Sequence, residues 1–141
     1  MMDFRVYSDP HVWGHSTAFI EICPGRYTGV HFRKGCLFVD EDAFIYAEGI
    51  LRKHFPAYDP YDMQDIPKEV WHAIAADWAS AADGLTCLSA LEAMRRLGLK
   101  WPLDPDEWSQ HSQPVSAMLR ALAQESLALG ASEDWICVLG V

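Results

Sequence analysis

No stretch of this chain is apolar for more than five residues, whereas a helix needs about 20 to cross a bilayer. The opening Met-Met-Asp-Phe-Arg lacks the apolar core of a secretory signal. Cations are scarce, with 11 Lys and Arg against 20 Asp and Glu, a formal net charge of −9. No basic stripe of the kind that tracks a phosphate backbone is present, so nucleic acid is not an expected partner, nor is a membrane. Gly-rich phosphate loops and nucleophile elbows are missing too. The four cysteines, at 23, 36, 87 and 137, form no closely spaced pair. That spacing is neither a zinc signature nor a disulfide framework, and it leads us to expect free thiols in a reducing cytoplasm.

What is present suits one globular domain. The 141 residues are 50% hydrophobic and 22% charged, which argues against disorder. A chain of this length buries roughly two thirds of its unfolded surface and needs no staple. One domain over residues 1–141 is the simplest organisation. Six Trp, six Phe and five Tyr supply large side chains for a core or an interface.

The negative charge is concentrated. Residues 40–65 carry Asp40, Glu41, Asp42, Glu48, Asp59, Asp62 and Asp65 against Arg52 and Lys53. Residues 101–141 carry Asp104, Asp106, Glu107, Glu125, Glu133 and Asp134 against Arg120. The remainder is nearly neutral. Such blocks attract basic proteins and repel nucleic acid.

Strands are expected first. Residues 4–7 alternate, residues 16–22 form a second run before a Cys-Pro-Gly turn, residues 28–33 alternate again, and residues 36–39 are a short apolar strand. Helices follow. Asp40 is placed to cap a helix reaching about His54, although Gly49 inside it costs about 1 kcal/mol against Ala. A loop over residues 57–66 leads to a helix opening at Pro67 and ending at Gly84. Thr86 is placed to cap a third helix ending at Gly98. Residues 101–113 read as irregular, and Pro114 as the start of a fourth helix ending at Gly130. Residues 134–141 then read as a strand apolar on both faces, the mark of a central strand. The expected fold class is α+β, with an N-terminal antiparallel meander of three to four strands, four helices packed on one face, and the C-terminal strand returning to the sheet.

Tyr58, Asp59, Tyr61, Asp62 and Asp65 form an acidic, aromatic loop. Tyrosines flanked by carboxylates suit an interface, as anchors inside a charged rim. The competing reading is a solvated loop whose tyrosines pack down onto the helices. Asp104, Asp106 and Glu107 are the second candidate patch, although acids there also suit a helix start. No EF-hand pattern is present in the acidic loop. His11 and His15 have helical zinc spacing, but Pro10 and Gly14 argue against a helix, so no metal is expected. Cys87, one residue after a candidate cap, is the best-placed thiol, and His31 or His111 would have to serve as its base. No catalytic motif rises above background, and no cofactor is expected.

A small acidic α+β chain with the aromatic strand region Gly29-Val30-His31-Phe32-Arg33-Lys34-Gly35-Cys36-Leu37-Phe38-Val39, followed by an acid-led helix, resembles in outline the bacterial polymorphic-toxin immunity proteins. The resemblance carries no family-defining motif and assigns no residue. It implies a cytoplasmic monomer or homodimer that neutralises a cognate, basic toxin domain by masking its active site. A second resemblance is to secretion-effector chaperones, and a third expectation is a small thiol hydrolase using Cys87.

Overall fold

The last strand of the chain lies inside the sheet. In this computed structural model, which describes residues 2–8, 18–30 and 35–140, four strands run β1 (Phe19–Pro24), β2 (Leu37–Asp40), β3 (Met63–Pro67) and β4 (Trp135–Leu139). Their order is β2-β1-β4-β3, and every pairing is antiparallel. β4 is therefore hydrogen-bonded on both edges, as its two apolar faces imply. Ile136 and Val138 turn into the main core, while Cys137 and Leu139 join a second cluster with Cys23, Cys36 and Phe38.

Four helices complete the α+β fold: α1 (Glu41–His54), α2 (Lys68–Ala82), α3 (Ala90–Leu97) and α4 (Pro105–Leu129). The main core lies between the sheet face bearing Ile20, Ile22, Val39, Ile66 and Val138 and the apolar stripes of these helices. α2 and α4 are antiparallel, since Ser116 donates to the Ala82 carbonyl at 2.8 Å and Trp71 Nε1 donates to Ser126 Oγ at 2.9 Å. Trp71 and Trp78 stack edge to face at 5.5 Å. The Trp78 indole N–H donates to the Ala47 carbonyl at 3.1 Å, tying α2 to α1. Both buried indoles thus keep a partner, as low dielectric requires.

The meander is thinner than its sequence suggests. Residues 4–7 form no strand. Tyr7 makes only an isolated bridge to Phe38. Residues 28–30 are likewise not in a strand, and 31–33 lie outside the described residues. Instead β3 takes the end of the stretch expected to be a loop together with Pro67, which was expected in the first turn of a helix and precedes α2 as its cap. Gln64 and Ile66 are its buried positions, with Met63 exposed, a two-residue alternation too short to stand out among the surrounding Asp and Pro.

Two helix starts also move. α3 is capped by Ser89 in a capping box with Glu92, so Thr86 lies on a separate 3-10 turn, Leu85–Cys87. α4 begins at Pro105 behind the Asp104 cap, and Pro114 sits inside it. Pro in a helix interior removes one backbone hydrogen bond, yet here Trp108 and Val115, on either side of it, are both buried in the main core. Tertiary packing has outweighed the local signal.

The cysteine expectation is corrected. Cys23 and Cys36 form a disulfide, with Cα atoms 4.4 Å apart. They follow the directly opposed pair Ile22 and Leu37 in the β1–β2 register. Directly opposed residues without mutual hydrogen bonds stand about 4.5 Å apart, within disulfide reach. Spacing along the chain gave no sign of this, because the antiparallel register creates the pair.

Candidate functional site

Strand direction decides where the acids gather. β2 and β4 finish, and β1 and β3 begin, at the same end of the sheet. Asp40 closes β2 there and Glu41 and Asp42 open α1. Asp59 and Asp62 lie in the turn that enters β3 at that end, and the Asp62 carbonyl accepts from the Gly140 N–H at 2.9 Å. Three strand spacings separate the two groups, about 14 Å, so both lie within about two Debye lengths of one approaching charge.

Each carboxylate also has a local task. Asp40 Oδ1 accepts from the Asp42 N–H at 2.8 Å as the α1 cap. Burial raises the Asp40 pKa, and the neighbouring Asp42 and Asp3 add to that. Asp59 Oδ1 accepts from the Tyr61 N–H at 2.9 Å and Asp62 Oδ1 from the Met63 N–H at 2.8 Å. These bonds fix a tight turn that holds Tyr61 outward.

The two tyrosines of this loop divide. Tyr61 is 73% exposed and Met63 is 43% exposed, an apolar pair amid the acids. Tyr58 is buried, packed on Phe44 at 6.5 Å between ring centroids and beneath the Arg52 guanidinium at 5.6 Å. Its hydroxyl makes no hydrogen bond among the described residues. It stands close enough to the Glu48 carboxylate for that charge to add to burial in holding the phenol well above its ordinary pKa. Glu48 itself is raised by burial, with Arg52 opposing at 3.6 Å. Tyr58 is thus a core residue that anchors the loop from beneath.

Asp65 is drawn away from the cluster. Its carboxylate accepts from the Tyr27 N–H at 2.8 Å and stands 3.5 Å from Arg26. Arg26 in turn lies over the Trp135 ring at 4.9 Å. This charge is neutralised on the sheet face away from the helices.

Asp104, Asp106 and Glu107 are exposed at the start of α4. Asp104 Oδ2 accepts from the Glu107 N–H at 3.0 Å, so helix capping accounts for it. Glu107 stands 3.7 Å from His111, and His111 Nδ1 pairs with the Tyr46 hydroxyl at 3.1 Å. Burial, with the Glu107 charge, raises the Tyr46 pKa. Tyr46 lies two residues from Phe44 on α1, about 200° around the helix. The acidic loop packs against the Phe44 and Glu48 side and the start of α4 against the Tyr46 side, so α1 stands between the two acidic segments. They do not form one patch.

Cys87 is exposed on its 3-10 turn rather than in the first turn of α3, which removes the helix-dipole argument for an activated thiol. Among the described residues, His54 and His111 are the histidines held in hydrogen bonds, by Asp77 and Tyr46. His11, His15 and His31 lie outside the described residues. Among the described residues no group of three metal-ligating side chains occurs, and no helix is long and apolar enough to cross a membrane.

The surface left by this geometry is Asp59, Tyr61, Asp62 and Met63, with Asp40, Glu41 and Asp42 at the same end of the sheet. From sequence Asp40 reads as a helix cap, and Glu41 and Asp42 as members of the first acidic block. Only strand direction shows that they lie at the same end of the sheet as the loop. No family model, curated protein or solved structure matches the chain.

Proposed function

We propose that this chain is a binding protein for a basic protein, engaged at the acidic end of its sheet. Within that class we propose a neutralising role of the immunity-protein type, in which the bound chain covers the active site of a toxin domain. The observation that carries the reading is Tyr61, 73% exposed and held outward by the Asp59 carboxylate. An exposed aromatic, with the exposed thioether of Met63 two residues on, supplies an anchor, and the surrounding acids steer a basic partner and quicken encounter.

The cytoplasmic setting expected from sequence belongs to this proposal, and the disulfide bears on it. Bridges persist in oxidising compartments and are reduced in the cytoplasm. Labelling thiols in intact cells separates a cytoplasmic chain with open cysteines from a bridged one elsewhere.

The test is co-expression together with binding kinetics. A partner recovered on the native chain should be basic, should elute with salt, and should arrest growth when produced without this chain. Asp59→Asn with Asp62→Asn should slow association about tenfold at low salt, while Tyr61→Ala should mainly speed dissociation. A partner that is acidic, or that binds both variants with native kinetics, would overturn the reading.

A further inference from the structure

The two edges of the sheet are finished differently. At β2 the Tyr7 N–H donates to the Phe38 carbonyl at 2.8 Å and the Phe38 N–H to the Tyr7 carbonyl at 2.7 Å, so the opening segment of the chain covers that edge. The other edge is β3, which pairs with β4 alone among the described residues. The Gly140 N–H donates to the Asp62 carbonyl and the Lys68 N–H to the Asp134 carbonyl, both at 2.9 Å. Hydrogen-bonded pairs alternate in an antiparallel ladder. Gln64 and Ile66 therefore bond to β4, and the backbone groups of Met63 and Asp65 point away from the sheet. Asp62 Oδ1 takes the Met63 N–H at 2.8 Å. The Met63 carbonyl and the Asp65 N–H and carbonyl have no partner among the described residues. A row of unpaired backbone groups on an edge is a template for another strand.

We propose that an extended segment of a basic protein partner adds to this edge as a further strand alongside β3. This rests on the reading above, that the acidic end of the sheet takes a basic protein, and supplies the manner of contact. The edge offers one donor and two acceptors, which an added strand meets with its own backbone in either direction. Backbone pairing gives affinity without regard to sequence, and the flanking side chains select the partner. Asp59 and Asp62 stand in the turn that enters β3. Met63 is 43% exposed and faces away from the helices, as does its register partner Leu139. A segment with Lys or Arg beside those acids and an apolar side chain against Met63 fits this edge. Asp65 lends its backbone alone, because its carboxylate already holds the Tyr27 N–H and Arg26. A second copy of the chain would bring its own net charge of −9, and like charge opposes the pairing of two β3 edges.

Amide hydrogen exchange of the full chain, followed residue by residue by NMR, tests this. The probe is an end-blocked peptide of Lys-Val repeats. Its control is the same peptide N-methylated at every residue, which keeps the charge and side chains but cannot donate to the Met63 and Asp65 carbonyls. We expect the Asp65 amide to exchange about tenfold more slowly at a probe concentration about ten times its Kd. The Gln64 and Ile66 amides, already bonded to β4, should change less, and the N-methylated control should protect nothing. An Asp65 amide left unchanged by the Lys-Val peptide overturns strand addition. Shifts at Tyr61 and Met63 in that experiment would leave the basic-partner reading standing. Equal protection of Asp65 by the matching Glu-Val peptide overturns the choice of a basic partner, here and in the reading above. Protection that grows with the concentration of this chain alone makes the occupant a second copy and overturns the proposal.

Discussion

Gly49 of α1 packs directly on the C-terminal end of α3, where Gly98 takes a left-handed φ of 64° as the helix cap. A Cβ at Gly49 would lie 2.7 Å from the Gly98 carbonyl oxygen and closer still to that of Leu97. Glycine inside a helix costs about 1 kcal/mol against alanine. Here the missing side chain is what allows two helices to meet.

Gly49→Ala therefore runs against helix propensity. Relief of the glycine penalty is worth about 1 kcal/mol, but the new methyl meets backbone atoms that have no rotamer to yield. Overpacking of this kind costs about 1–3 kcal/mol or more. We expect a net loss of stability, read as a lower urea midpoint with an unchanged slope. A midpoint equal to or above that of the native chain would show that α1 and α3 separate at no cost.

Asp77 gathers Lys53, His54 and Arg96 around one carboxylate, at 3.2, 2.9 and 2.9 Å. Burial alone would raise its pKa, but hydrogen bonds with these three side chains and the Arg96 charge outweigh that and lower it. The sign follows directly. A carboxylate lowered on folding contributes stability above its unfolded pKa and loses it as pH falls through the folded value. Asp77→Asn should cost about 2 kcal/mol at neutral pH, because Lys53 and Arg96 lose the carboxylate that pairs with both. The gap between native and variant should close as the pH is taken below the ordinary carboxylate range. A gap that stays constant with pH would place the effect in packing rather than charge.

Reduction should be measurable both as chemistry and as stability. Denatured without reductant, the protein should show two reactive thiols rather than the four counted in the sequence. The bridge spans 13 residues of sequence, and a loop near that length is worth about 3 kcal/mol in the chain-entropy account. Chemical denaturation with and without reductant should differ by about that amount. Four thiols without reductant would mean that the two strands meet with the bond unformed.

Removal of residues 134–141 should abolish cooperative unfolding. β4 lies between β1 and β3, so its loss exposes two strand edges and opens both clusters. Calorimetry of the truncated chain should show no sharp transition. A native-like transition would mean that β1 and β3 pair without it.

Much of this architecture was written locally. The periodic apolar positions of α1 and α2, the Asp40 cap and the αL-compatible Gly98 act within a few residues, where propensity and side-chain chemistry suffice. The doubly apolar residues of β4 marked a central strand, because a two-faced apolar run is stable only when covered on both sides. β3 was hidden, since its hydrogen bonds come from β4, about 70 residues away in the chain. The single α4 was hidden too, because burial of Trp108 on one side of Pro114 and Val115 on the other outweighs a local break. The candidate surface divided in the same way. Asp59, Tyr61 and Asp62 were legible as an acidic aromatic loop, and their turn bonds are local. That Tyr58 faces the core, that Asp65 is spent on Arg26, and that Asp40, Glu41 and Asp42 share the loop's end of the sheet were decided by tertiary structure alone. Strand order and direction fix which ends coincide. The same register brings Cys23 opposite Cys36 and Cys137, for spacing along a chain does not report proximity across a sheet.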